Sequence, residues 1–172
     1  MKKIFTLIIF LGIIHMARGQ SNDSLQVQLG RKWLNSKNYA LRLAVLMPEK
    51  DYEFRATDEE MTFREQLLHI ADNMNWLSSA YLFANAPVKR DPAIKLSKVE
   101  VLKVLEEAYD RGLQGHNGMT NMQLEEPVKF FAGPMTRRQI LILMHDHQTH
   151  HLGQLIVYLR LKGIKPPDYV GW

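Results

Sequence analysis

The chain has 172 residues, of which 46% are apolar and none is cysteine, which is the size and composition of one globular domain. This composition excludes a disordered or fibrous protein, and the lack of cysteine excludes disulfide bonds, thiolate metal sites and cysteine nucleophiles. The formal charge of +4 includes Lys2, Lys3 and Arg18. Without these three residues the chain has 19 basic and 18 acidic residues, a net charge of +1. This balance does not indicate nucleic-acid binding.

The first residues have the pattern of a secretory signal peptide. Lys2 and Lys3 precede an apolar run over 4–14, and the small residues Ala17 and Gly19 follow it. The run is shorter than the roughly 20 apolar residues that span a bilayer. We therefore expect residues 1–19 to be removed and 20–172 to form an exported domain, periplasmic or secreted, without stable membrane insertion. The alternative is a retained amphipathic or membrane anchor.

Four helices are predicted from periodicity and helix caps, over about 24–47, 62–83, 97–115 and 136–162. Three of them begin with a capping box, in which a threonine or serine is followed three residues later by glutamate or glutamine. These caps are Thr62, Ser97 and Thr136. Residues 128–132 have the composition of an extended segment, but one short strand does not make a sheet. Four amphipathic helices of this length predict an all-α fold, an antiparallel four-helix bundle.

Two histidines of the last helix lie on its apolar stripe. At 100° per residue, His147 and His151 fall between Met144 and Leu155, where a bundle normally places Leu or Ile. Two imidazoles at i and i+4 stack one turn apart, the arrangement in which two histidines share one metal ion. Burying them without partners would cost about 1–3 kcal/mol each. A divalent metal explains both, and core histidines satisfied by neighbours or water are the alternative.

A third ligand has to come from another helix. His69 lies roughly 120° from the centre of the apolar stripe of the second helix by the helical period, on a face with Gln66, Asn73 and Trp76. This position fits a ligand that faces a neighbouring helix or a histidine on the surface, and geometry alone leaves both open.

The sequence gives weaker grounds for metal binding by the remaining histidines. His116 has no geometric case, and His145 and His150 point to the flanks of the last helix, as surface groups or groups that support a ligand. Asp146 and Gln154 are candidates for orienting ligand imidazoles through hydrogen bonds. The aromatic residues Trp33, Tyr39, Trp76 and Tyr158 are expected to fill the core.

Two segments resemble a known family. The second-helix sequence over 62–71 is similar to the corresponding motif of the DinB-like (DinB/YfiT) metalloproteins, and the sequence over 147–155 resembles their fourth-helix signature of histidine, three residues and histidine. Tyr158-Leu159-Arg160 and the closing segment 163–167 fit the same pattern. The resemblance implies a four-helix bundle with a three-histidine site for zinc or nickel, with His69, His147 and His151 as ligands. Leu152 departs from it, since the family usually has arginine there.

The resemblance and the histidines together favour a metal-dependent hydrolase or transferase acting on a small molecule. Relatives include cytoplasmic transferases that use a low-molecular-weight thiol, which is scarce outside the cytoplasm, and homodimers are common among them. A three-histidine metal leaves a coordination position free and lowers the pKa of bound water toward about 7. Glu65, Asp72 and Asp146 lie near the motifs, but no spacing assigns a general base. The alternatives are a non-catalytic metal-binding protein of the envelope, for sequestration or sensing, and a bundle whose histidines bind no metal.

Overall fold

The protein is represented by a computed structural model that describes residues 25–83, 85–86 and 89–171, so the predicted signal peptide lies outside the described residues. The long helices are α1 (Leu25–Leu46), α2 (Phe63–Leu77), α3 (Lys98–Gly118) and α5 (Arg137–Leu161). The shorter elements are a 3-10 turn (Glu49–Asp51), a π-helical turn that extends α2 (Ser78–Leu82), helix α4 (Asn121–Leu124) and strands β1 (Pro127–Phe130) and β2 (Gly133–Thr136). The all-α prediction is confirmed, with one short helix more than the four expected.

The three predicted capping boxes are all present. The side chains of Thr62, Ser97 and Thr136 each accept a hydrogen bond from the backbone N–H three residues on, and the residue at that position bonds back to the cap. A fourth box at Thr120 begins α4, which sequence analysis did not predict. Each box satisfies N–H groups that a helix start otherwise leaves without partners, so the sequence fixes where these helices begin.

The helix pairs α1/α3 and α2/α5 are antiparallel, as their end-to-end contacts show. Lys98 at the start of α3 donates to the carbonyls of Val45 and Met47 at the end of α1, at 2.7 and 2.8 Å. Tyr158 near the end of α5 donates to the carbonyl of Met61 just before α2, at 2.8 Å. The bundle is not a simple up-and-down one. Helices α2 and α3 run in the same direction, since Arg64 at the start of α2 bonds the carbonyl of Leu96 before α3.

The core runs the length of the four long helices and is filled mainly by Leu, Met and aromatic side chains. Trp33 is fully buried and donates to the carbonyl of Tyr109 at 2.8 Å. Gly112 lets α1 and α3 approach here, because a Cβ at this position would overlap the indole ring of Trp33. Tyr39 and Tyr158 are buried as predicted, whereas Trp76 is partly exposed.

The segment predicted as one possible extended stretch is a hairpin of two strands. β1 and β2 pair antiparallel, with Phe130 opposite Gly133, whose φ of 119° only glycine adopts readily. The hairpin packs Phe130 and Phe131 against Trp76 of α2, which explains the position of that indole outside the core. Within the described part of the chain, no helix is both long enough and apolar enough to cross a membrane.

Candidate metal centre

Helices α2 and α5 face each other along the site. The two ends of the pair are held by hydrogen bonds, one from Tyr158 to the carbonyl of Met61 and one from Arg137 to the carbonyl of Tyr81, at 2.8 and 3.2 Å. Because the helices are antiparallel and aligned at both ends, His69 in the first half of α2 meets the middle of α5. The packing of α2 against α5 therefore places His69 toward a neighbouring helix, one of the two positions that helical geometry alone left open.

The structure brings the three predicted ligands together. The Nε2 atoms of His69 and His147 lie 3.1 Å apart, and the ring of His151 lies 4.7 Å from that of His69 and 4.5 Å from that of His147, between centroids. One nitrogen from each of the three residues falls within 4.8 Å of the others. Among the described residues, no other group of three histidine or acidic side chains converges in this way.

A line of hydrogen bonds fixes the tautomer of His151. Its Nδ1 lies 2.5 Å from Oε1 of Gln66, an oxygen that can only accept, so Nδ1 carries the proton. The amide of Gln66 donates in turn to Gln154, whose amide lies 3.0 Å from Nε2 of His150. The lone pair of His151 is therefore on Nε2, free for a metal ion. Gln66 therefore orients His151, and Gln154 is hydrogen-bonded to Gln66 in turn.

Burial keeps the imidazoles of His147 and His151 neutral. Desolvation lowers the pKa of His147 to about 4, helped by the neighbouring His151 and His69, and it likewise lowers the pKa of His151 to about 4. A neutral imidazole is the form that binds metal. At neutral pH His147 and His151 therefore present lone pairs without first having to release protons.

The donor set fits a divalent transition metal. Imidazole nitrogens suit zinc and nickel, and the Nε2 atoms of His69 and His147, 3.1 Å apart, are close enough to bind one ion. Nδ1 of His147 is buried without a hydrogen-bond partner among the described residues, so this ring is held by packing. Three protein donors leave a coordination position for another group.

A cavity of about 350 Å³ adjoins the cluster at His69, whereas His147 and His151 do not line it. His69 lines it, together with the charged residues Glu53, Arg64, Glu65, Asp72, Arg90 and Lys95. Glu65 accepts a hydrogen bond from the backbone N–H of Thr62 at 2.7 Å, and Asp72 pairs with Arg90 at 2.8 Å. Both candidate bases on α2 are thus already engaged. Asp146, the third candidate, is exposed on α5 and does not line this cavity.

The other residues discussed in the sequence analysis lie outside the three-histidine cluster. His150 is exposed, whereas His145 is half-buried, with Nε2 at 3.2 Å from the hydroxyl of Ser36. His116 is 2% exposed in the core beside Trp33, which sequence analysis did not predict. Leu152 is buried and lines a cavity with Tyr39 instead of the one beside His69.

Comparison with known proteins identifies the family of this chain. The family model described as the DinB family matches residues 19–171. The chain belongs to the DinB family. It is 27% identical over 144 residues to YjoA of Bacillus subtilis strain 168, a protein described as uncharacterized, and this match covers 79% of the chain and 90% of YjoA.

Three solved structures share the fold of this DinB-family chain. The crystal structure of the DinB-like YjoA has a TM-score of 0.66 at 21% identity, covering 83% of this chain and 96% of that one. A DinB-like protein from Bacillus cereus ATCC 10987 has a TM-score of 0.71 at 16% identity, with 83% and 95% covered. A structure from Exiguobacterium sibiricum 255-15, described as a putative member of the DinB family, has a TM-score of 0.63 at 17% identity, with 84% and 94% covered.

Proposed function

We propose that this DinB-family protein is a divalent-metal-dependent enzyme, a hydrolase or transferase acting on a small molecule. The observation that carries the proposal is the position of His69, which belongs to the three-histidine cluster and also lines a cavity of about 350 Å³. A metal site that opens into a cavity with polar walls is typical of catalytic centres, whereas structural and storage sites are closed by protein donors. This favours an enzyme over a sequestration or sensing protein.

The residues of the chain have defined parts in this proposal. His69, His147 and His151 would hold the ion, which we expect to be zinc or nickel, and Gln66 would keep His151 in its metal-binding tautomer. Bound there, the ion would supply a Lewis acid that polarises a carbonyl or phosphoryl oxygen and activates water or a thiol. The cavity beside His69 would hold the substrate next to the cluster.

The first test is metal content. The mature protein, purified without chelator or affinity-tag nickel, is measured by elemental analysis beside the double variant His147→Ala/His151→Ala. We expect about one equivalent of a transition metal in the wild type and none in the variant. His150→Ala is the matched control, because it removes an exposed imidazole from the same helix and should leave the metal in place.

The second test is turnover by the metal-loaded protein in screens for ester, amide and phosphoester hydrolysis and for thiol transfer. Activity that disappears with chelator and returns with zinc or nickel would support the enzyme. One equivalent of metal without turnover in any screen would favour the non-catalytic alternative. If neither wild type nor variant takes up added metal, the metal proposal is wrong.

We also propose that the protein is exported. The support is the pattern of residues 1–19, with basic residues, a short apolar run and small residues before the predicted cleavage point. N-terminal sequencing of the protein from the envelope fraction of expressing cells tests this, and we expect Gln20 as the first residue. A protein that retains residues 1–19 in a membrane fraction would support an anchor instead.

A further inference from the structure

The charged groups beside His69 are paired within the cavity wall. Glu53 accepts from Arg64 at 2.8 Å and lies 3.2 Å from Lys95, and Asp72 accepts from Arg90 at 2.8 Å. Three acidic and three basic side chains line the cavity, so its wall carries no net formal charge. A divalent ion held by neutral imidazoles would add two positive charges with no carboxylate ligand to offset them. The loaded cavity would therefore attract anions.

Arg90 differs from the other arginine of the wall. Arg64 is used by the fold, because it bonds Glu53 and the carbonyl of Leu96 and covers the ring of Tyr52. Asp72 accepts a hydrogen bond only from Nη2 of Arg90. The buried Nε of Arg90 has no hydrogen-bond partner among the described residues. An unpartnered buried N–H on a guanidinium is costly unless a ligand oxygen accepts from it.

Helix geometry fixes how far this group lies from the histidines. Asp72 follows His69 by three residues on α2, so the two side chains share a face about 4.5 Å apart along the axis. Asp72 therefore holds the guanidinium of Arg90 roughly one turn from His69. Asp72 and Arg90 also line a second cavity, of about 470 Å³, with Lys89 and Arg111. The charged residues of this second cavity are three basic ones and two acidic ones, so it has a basic excess of one.

We propose that Arg90 is a specificity-determining residue that binds an oxyanion of the substrate, a carboxylate or a phosphate, about one helical turn from the three-histidine cluster. The planar guanidinium offers Nε and an Nη together, the geometry that carboxylate and phosphate oxygens accept. The substrate class is therefore small molecules with an anionic group a few bonds from the reacting group. This inference rests on the proposed function.

The experiment uses the whole mature protein loaded with Co²⁺, whose visible spectrum reports both metal retention and anion binding near the metal. The spectrum is titrated with butyrate, succinate and 3-phosphonopropionate. Each has one carboxylate for the metal side, and they differ in a methyl, a carboxylate or a phosphonate at the other end. We expect succinate or 3-phosphonopropionate to bind at least about tenfold more tightly than butyrate. The tighter of the two identifies carboxylate or phosphate as the preferred group.

Three variants test whether this preference depends on Arg90. Arg90→Gln should abolish it, while Lys95→Gln, which removes the same charge from the same cavity, should retain it. Arg90→Lys keeps the charge without the planar fork and should retain only part of it. If circular dichroism shows that Arg90→Gln is unfolded, Arg90→Lys is compared with the wild type instead.

The outcomes separate this inference from the proposed function. Equal affinities for all three anions in Co²⁺-loaded wild type would overturn the inference and leave the metal site standing. Equal losses in Arg90→Gln and Lys95→Gln would overturn the assignment to Arg90. Failure to take up Co²⁺ would overturn the proposed function and the inference together.

Discussion

His116 makes the stability of this protein sensitive to acid. The imidazole is 2% exposed, its ring centroid lies 5.0 Å from that of Trp33, and neither ring nitrogen has a hydrogen-bond partner among the described residues. Burial, together with the neighbouring His145, lowers the pKa of His116 to about 4. The folded protein therefore holds this ring neutral at pH values where an unfolded chain has begun to protonate it.

The free-energy change follows from the two pKa values. With a pKa of about 4 when folded and about 6.5 when unfolded, the unfolded state binds more protons between these limits, so stability falls as the pH falls through this window. Between about pH 7 and about pH 4.5 this single group should lower the free energy of unfolding by about 2.5 kcal/mol. The substitution His116→Leu removes that loss. It should also raise stability at neutral pH by about 1–3 kcal/mol, because it removes an unpartnered polar ring from the core.

The assay is urea unfolding at about pH 7 and about pH 4.5, followed by circular dichroism, with chelator present so that metal does not contribute. Protonation of the ligand histidines is common to all samples and cancels in the comparison. His116→Asn is the control: it cannot titrate, so it should share the reduced acid sensitivity of His116→Leu without the gain at neutral pH. If wild type and His116→Leu lose the same free energy between the two pH values, the account of a buried neutral imidazole is refuted.

Three further predictions concern the site and the packing around it. Gln66→Ala should weaken metal binding about 10–100-fold, measured by competition with a chromophoric chelator, since a ligand imidazole loses its orienting partner; unchanged affinity would contradict this. Gly112→Ala should lower the free energy of unfolding by about 1–3 kcal/mol in urea, because the new methyl overlaps Trp33. Tyr109→Phe should lower it by about 1–3 kcal/mol, because it removes the 2.6 Å hydrogen bond to the buried Gln148.

The fold was largely predictable because local signals agree with the tertiary structure. Thr62, Ser97 and Thr136 mark helix starts by a mechanism that operates within four residues, and the structure has all three. The direction of α3 relative to α2 was not predictable, since it depends on how the long connection between them returns the chain. The sequence predicted only one extended segment where the structure has a hairpin, because strand pairing depends on the partner strand as well as on the segment itself.

The site was predictable to different degrees on its two helices. His147 and His151 lie on the apolar stripe of α5, so periodicity alone selected them. His69 lies off the stripe of α2, and only the packing of α2 against α5 brings it to the cluster. The sequence placed Gln66 on the same face as His69, but it did not predict that Gln66 orients His151.

His116 was overlooked because the third helix was predicted to fade near Gly115, whereas α3 continues to Gly118. A longer helix would have placed His116 on the same stripe as Leu105, Tyr109 and Gly112, all of them buried. The helical spacing that predicts burial of His116 was present in the sequence, but the third helix was predicted to end before this residue.

The ligand cluster joins parts of the chain that are far apart in sequence. His69 and His147 are 78 positions apart, and the intervening chain includes all of α3, α4 and the hairpin. An ion shared by them would close a loop of that length, and closing such a loop with a disulfide restricts the unfolded chain by about 4–5 kcal/mol in the chain-entropy model. A protein without cysteine would then have a reversible cross-link, one that opens when the metal is removed rather than when the surroundings become reducing.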